Sequence, residues 1–182
     1  MSGVTASIWH KSLDCTGLHQ TNAISSRRNI MPATTHDIVI NTPIEYIYDI
    51  LCDYEKYPEF LPEIKRASLL QRQENVAYVE FELELIMRIT YVLKIEETPT
   101  EGICWELSES RHLKSNHGGW YLNKVSDMSA KANYDIAVEL KGIVPKSVMQ
   151  RLTEKTLPLT LERFKDRAES LFALSQSENR SA

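Results

Sequence analysis

The chain changes its hydrophobic rhythm twice, and each change marks a different kind of element. Residues 35–41 alternate, with Ile38 and Ile40 between polar neighbours, and predict a strand. Residues 43–57 then place Ile44, Ile47, Tyr48 and Leu51 three and four apart, which predicts a helix. Asn41 or Thr42 can cap it, Pro43 suits its first turn because a missing N–H costs nothing there, and Glu45 adds favourable charge. A proline- and aromatic-rich corner follows, with Tyr54, Tyr57, Pro58, Phe60 and Pro62 between that helix and the next strand.

From Ile64 the period is two. Residues 64–73 turn back near Glu74 and Asn75. Residues 76–86 alternate, with Ala77, Val79, Phe81, Leu83 and Leu85 on one face and Glu80, Glu82 and Glu84 on the other. Residues 87–97 repeat this with Ile89, Tyr91, Leu93 and Ile95 inward, followed by a turn over Pro99 to Gly102. Ile103, Trp105 and Leu107 share a face, residues 111–119 read as a loop, and strands over 120–127 and 130–140 complete the series. Ala132, Tyr134, Ile136, Val138 and Leu140 lie on one side of the last strand. One apolar and one polar face is the pattern of an antiparallel sheet. A long helix is expected from Pro145 to about Ala173, with an apolar stripe of Leu157, Leu161, Phe164, Ala168 and Leu171 and a kink at Pro158.

This order predicts an α+β fold. A curved antiparallel sheet of six or seven strands wraps a long C-terminal helix, with two short helices after the first strand. The sheet's inner face and the helix stripe are both apolar and must meet. A bent helix across a curved sheet leaves space between them, and apolar cavities are the usual sites of ligands. Residues 1–33 are expected to be a disordered extension, 34–174 the folded domain and 175–182 a flexible tail.

Composition narrows the function. Of 182 residues, 42% are hydrophobic and 25% charged, as in ordinary globular proteins. The net charge of −4 gives no basic face for nucleic acid. No apolar run approaches the roughly 20 residues that span a bilayer. Three cysteines, odd in number and far apart, suggest neither a disulfide framework nor a zinc cluster, and fit a reducing compartment. The cytoplasm is therefore expected. The acid-poor, Ser-rich first 30 residues leave a mitochondrial or other organellar transit peptide as the alternative.

The stretch from Pro43 to Pro62, PIEYIYDILCDYEKYPEFLP, resembles the opening of the START-like polyketide cyclase/dehydrase and coenzyme Q-binding family. The likeness continues through HGGWYL at 117–122 and through residues 144–169. It implies a helix-grip fold and a hydrophobic ligand that is quinone-, polyketide- or lipid-like. Relatives include carriers, cyclases or aromatases, and a ribosome association toxin. Fold alone does not choose among these. A carrier or chaperone is the expected role, with transient membrane contact to load the ligand. The alternatives are a cyclase-type enzyme and a toxin-like interaction module.

The expected ligand-binding residues are Phe60, Phe81, Tyr91, Trp105, Trp120, Tyr134, Leu152 and Leu159. Trp105 and Trp120 face inward on neighbouring strands, where wide rings can stack on a ligand or fill the core. Tyr91 and Tyr134 bring hydroxyls that either hold a ligand carbonyl or bond to backbone. Tyr57 and Leu61 cap the core, and Phe60 is placed at the rim. The loop with Gly118 and Gly119 is expected to act as a gate opposite it. His112 and His117 lack a third ligand nearby, so no metal is expected. Neither Cys52 nor Cys104 sits in a nucleophile pattern. No catalytic residue and no cofactor are assigned. Arg163 and Arg167 are the main titratable groups with a claim to inward positions.

Overall fold

The computed structural model describes residues 30–84, 87–142 and 156–179. Among these, seven strands form one antiparallel sheet in the order β1-β7-β6-β5-β4-β3-β2. They are β1 (Ile30–Ile40), β2 (Ile64–Gln73), β3 (Val76–Glu84), β4 (Arg88–Thr98), β5 (Gly102–Ser110), β6 (Leu113–Ser126) and β7 (Ser129–Leu140). Helix α1 (Ile44–Cys52), a 3-10 turn (Tyr54–Lys56) and the one-turn helix α2 (Tyr57–Phe60) link β1 to β2. Helix α3 (Leu157–Asn179) closes the fold. None of the described helices is long and apolar enough to cross a membrane.

The alternation sets the sheet's two faces. Ala77, Val79 and Phe81 on β3, Ile89, Leu93 and Ile95 on β4, and Ala132 and Tyr134 on β7 are all buried. The glutamates between them face outward and pair across strands. Glu80 accepts from Arg66 at 2.6 Å, Glu82 meets Arg88 at 3.0 Å, and Lys94 lies between Glu96 and Glu106. The tight turn at Glu74 is reached with φ of 52°. At the β4–β5 turn Gly102 has φ of 133°, and a Cβ there would overlap the Trp120 carbonyl, so only glycine fits.

Helix α1 starts one residue later than expected. Pro43 is its N-cap and no side chain caps it; the Tyr46 and Ile47 amides donate to the Pro43 carbonyl instead. The Asn41 side chain is engaged elsewhere, with its amide nitrogen donating to Glu169 Oε1 of α3 at 3.0 Å.

On α3, Leu157, Leu161, Phe164 and Ala168 are buried as the stripe predicts. The stripe continues to Phe172, which meets the Tyr46 ring at 5.0 Å, rather than to Leu171. Leu171 and Phe172 flank the stripe on opposite sides, and the contact with Tyr46 of α1 covers Phe172 while Leu171 stays half-buried. The helix runs on past the expected Ala173 to Asn179, and β1 reaches back before the expected start to Ile30. The expected helix start at Pro145 lies outside the described residues, as does Leu152.

The segment read as a loop at 111–119 is not one. Only Arg111 and His112 turn; β6 starts at Leu113 and carries both glycines. Gly118 pairs with Trp105 on one side and Ile136 on the other. A Cβ there would overlap the Asp135 carbonyl and lie 2.7 Å from the Trp105 ring. The glycine therefore allows close approach inside a strand and is no hinge.

Candidate ligand cavity

The site begins with the corner after α1. Tyr57 and Leu61 are buried, and the Tyr57 hydroxyl donates to the Leu51 carbonyl at 2.7 Å, which ties the corner to the end of α1. Tyr54 turns inward and donates to Glu97 Oε1 at 2.8 Å. Arg72 donates to the same oxygen at 2.8 Å and lies over the Tyr54 ring. Glu97 is thus a buried carboxylate with a charge partner and a hydroxyl donor, the condition under which such burial is tolerated.

Phe164 joins helix to corner and sheet. Its ring meets Tyr57 at 5.2 Å, Phe60 at 5.0 Å and Trp120 at 5.0 Å, mostly edge to face. Two ion pairs add to this contact. Arg163 donates to Glu63 at 2.7 Å, and Arg167 donates to Glu59 at 2.6 Å while lying over the Phe60 ring. The two arginines therefore bind the corner to α3 and do not project into the interior.

Between α3 and the inner face of the sheet lies a cavity of about 240 Å3. Its wall is mostly aliphatic and aromatic, from Ile95 and Ile103 at one side to Ile136 and Val138 at the other. Phe81, Tyr91, Trp105, Trp120 and Tyr134, five of the residues assigned from sequence, all line it. Phe60 and Leu159 do not. Phe60 is half-buried outside the wall, packed between Tyr57, Phe164 and Arg167. Leu159 is 48% exposed, because it lies two positions after Leu157 and two before Leu161 and so points away from their buried face. Leu152 is outside the described residues. Glu63, Ile64, Leu83, Met87 and Thr160 also line it, and Glu63 is there held by the Arg163 ion pair.

Asn116 is a buried polar lining residue that sequence reasoning missed. The β5–β6 pairing ends at Glu106 and His117, although both strands continue. Beyond that point a side-chain bond joins them, from Trp105 Nε1 to Asn116 Oδ1 at 3.0 Å. Counting back by twos from Trp120 through Gly118 reaches Asn116. The signal was present, but hidden by reading His117 to Gly119 as loop.

Burial dominates the chemistry of the lining phenols. It raises the Tyr57, Tyr91 and Tyr134 hydroxyls well above the ordinary tyrosine value, and does the same for Tyr54, with smaller contributions from neighbouring Tyr57, Cys52 and Glu97. All four are neutral donors at physiological pH. The Cys52 thiol is likewise pushed up by burial, to about 11, and is no nucleophile at neutral pH. Among the described residues no cluster of three or more His, Cys, Asp or Glu could hold a metal.

A long helix held in a seven-stranded antiparallel sheet over an apolar cavity defines the helix-grip class. The chain belongs to the polyketide cyclase / dehydrase and lipid transport family, whose model matches residues 40–165. It is 22% identical over 134 residues to the ribosome association toxin RatA of Pseudomonas aeruginosa, an alignment covering 71% of this chain and 90% of that protein. Among solved structures it is similar to a START superfamily protein from Mycobacterium smegmatis, 21% identical with a TM-score of 0.68 over 76% of this chain and 98% of that one. It is also similar to the Zhui aromatase/cyclase from Streptomyces sp. R1128, 13% identical with a TM-score of 0.68 over 77% and 94%.

Proposed function

We propose that this protein binds an apolar small molecule, quinone-, polyketide- or lipid-like, in the internal cavity and carries or shelters it without transforming it. The supporting observation is the cavity itself: a concave volume between helix and sheet, lined mostly by aliphatic and aromatic side chains, is the usual form of a small-molecule site. Five of the residues that the sequence marks as ligand-binding are on its wall.

Carriage is favoured over catalysis by the polar inventory. General acid–base chemistry needs a group that gains and loses a proton near neutral pH. The lining tyrosines are held protonated, and Glu63, the carboxylate of the described lining, is engaged by Arg163 at 2.7 Å. A cyclase-type reaction, as the name of the Zhui enzyme describes, would need Glu63 released from that pair to act as base.

A second reading has its own observation, the alignment with RatA over 90% of that protein's length. A ribosome-directed role would use the outer surface, and a net charge of −4 opposes contact with RNA phosphates.

The test is a titration of the full chain with 1-aminoanthracene, whose emission rises in apolar surroundings. Saturable enhancement is expected, and Val138→Trp, which fills the cavity from β7, is expected to abolish it while far-ultraviolet circular dichroism stays unchanged. No saturable enhancement with the wild-type chain, or full binding by the Trp variant, would overturn the reading. Co-sedimentation with ribosomes at physiological salt, together with an empty cavity, would favour the second.

A further inference from the structure

The lining has more polar groups than the protein itself uses. Tyr54 and Tyr57 hydroxyls are committed to Glu97 and the Leu51 carbonyl, Thr160 donates to the Thr156 carbonyl, and Glu63 pairs with Arg163. Besides the Trp120 indole N–H, which has no hydrogen-bond partner among the described residues, three groups are left. The Tyr91 and Tyr134 hydroxyls have no hydrogen-bond partner among the described residues, and burial is the leading influence on both. Asn116 spends its oxygen on Trp105 Nε1, which fixes the amide so that Nδ2 is the donor left over. Tyr134 and Asn116 are each only 6% exposed, and all three residues line the cavity.

We infer that Tyr91, Tyr134 and Asn116 form a donor subsite for a neutral carbonyl oxygen on a cyclic, otherwise apolar ligand. The inference rests on the proposed binding function and specifies its ligand. Donors that the protein leaves unused are open to a ligand, and these share one wall: all three residues line the same cavity, and the Trp105 ring that bonds Asn116 packs against Tyr134 at 5.8 Å. Their rings are held in place, Tyr91 stacked on Phe81 at 5.7 Å and Tyr134 packed between Trp105 and Trp120 at 5.8 and 4.6 Å. The donors are therefore positioned before any ligand arrives. A carboxylate or phosphate is the wrong partner, because no Lys, Arg or His is among the described lining residues and an uncompensated buried anion is strongly disfavoured. A ketone needs donors and no counter-charge. The flanking aromatic faces suit a ring better than a flexible chain.

The experiment compares 1-tetralone with tetralin, matched bicyclic probes with and without a carbonyl, by calorimetric titration of the full chain. The wild type is expected to bind tetralone about tenfold more tightly. Tyr91→Phe and Tyr134→Phe are each expected to remove several-fold of that preference while leaving tetralin affinity unchanged, which also reports that the cavity is intact. Equal affinity of the wild type for the two probes overturns the subsite and leaves the binding function standing. Loss of tetralin binding in the Phe variants also overturns it, since the hydroxyls would then support the wall and not the ligand. Failure of the wild type to bind either probe overturns the proposed function and the subsite together.

Discussion

Glu97 shows how much a single buried residue organises here. Its carboxylate takes hydrogen bonds from Arg72 and from Tyr54, whose ring is almost fully buried in the cavity wall. Glu97→Ala leaves a buried hydroxyl without a partner and removes the neighbour of a guanidinium that is 38% exposed and can rehydrate. A loss of roughly 2–3 kcal/mol is expected in urea unfolding. Gly118→Ala should be worse than an ordinary strand substitution, because the new Cβ would overlap backbone of β7 and press on Trp105. Marked destabilisation, with Trp105 fluorescence shifted toward that of exposed indole, is the expected result. Single residues were legible where alternation was regular: Phe81, Tyr91 and Tyr134 could be placed facing inward from period alone. Asn116 could not, because two glycines beside a histidine look like a turn, whereas in the structure they permit close strand packing.

At the scale of elements, α3 and the corner act as one unit. Phe164 supplies the apolar contact and the pairs Arg163–Glu63 and Arg167–Glu59 surround it. The ion pairs are partly exposed, so each contributes little: Arg163→Met is expected to cost under about 1 kcal/mol in thermal or urea melts, and less still at high salt. Phe164→Ala should cost far more, about 3–5 kcal/mol, because the ring touches both the corner and Trp120. The elements themselves were legible from their periods, and the corner from its prolines. Phe60 was not: an aromatic residue in a loop reads as a rim, and only the tertiary position of Arg167 and Phe164 shows it clamped beside the wall. Leu159 is the complementary case: it is apolar and lies among leucines, but its phase along the helix points it to solvent.

The whole molecule carries many buried protons. Tyr54, Tyr57, Tyr91 and Tyr134 all have hydroxyls raised by burial, Tyr121 is raised to about 12, and the Cys52 thiol moves from its ordinary 9.0 to about 11. The folded chain keeps these protons at pH values where the unfolded chain releases them, so it binds more protons than the unfolded state and stability falls as pH rises. The contribution is complete below about pH 9 and is lost progressively through pH 11 and beyond. Guanidinium melts at pH 7.5 and 10.5 should show a clearly lower midpoint at the higher pH. An unchanged midpoint would mean that these groups are not buried as described.

The order of strands and helices, and hence the grip of sheet on helix, was readable because each element's period matches its surroundings. The volume left between them was not, since it depends on how Phe164, Trp120 and Tyr134 settle against one another. That volume is the centre of the functional account, and native mass spectrometry of the full chain, gently purified from its source cell, tests it most directly. The account predicts a population carrying a single apolar small molecule of ring type, released on denaturation. A uniformly unliganded protein that also refuses added tetralone and 1-aminoanthracene would contradict it.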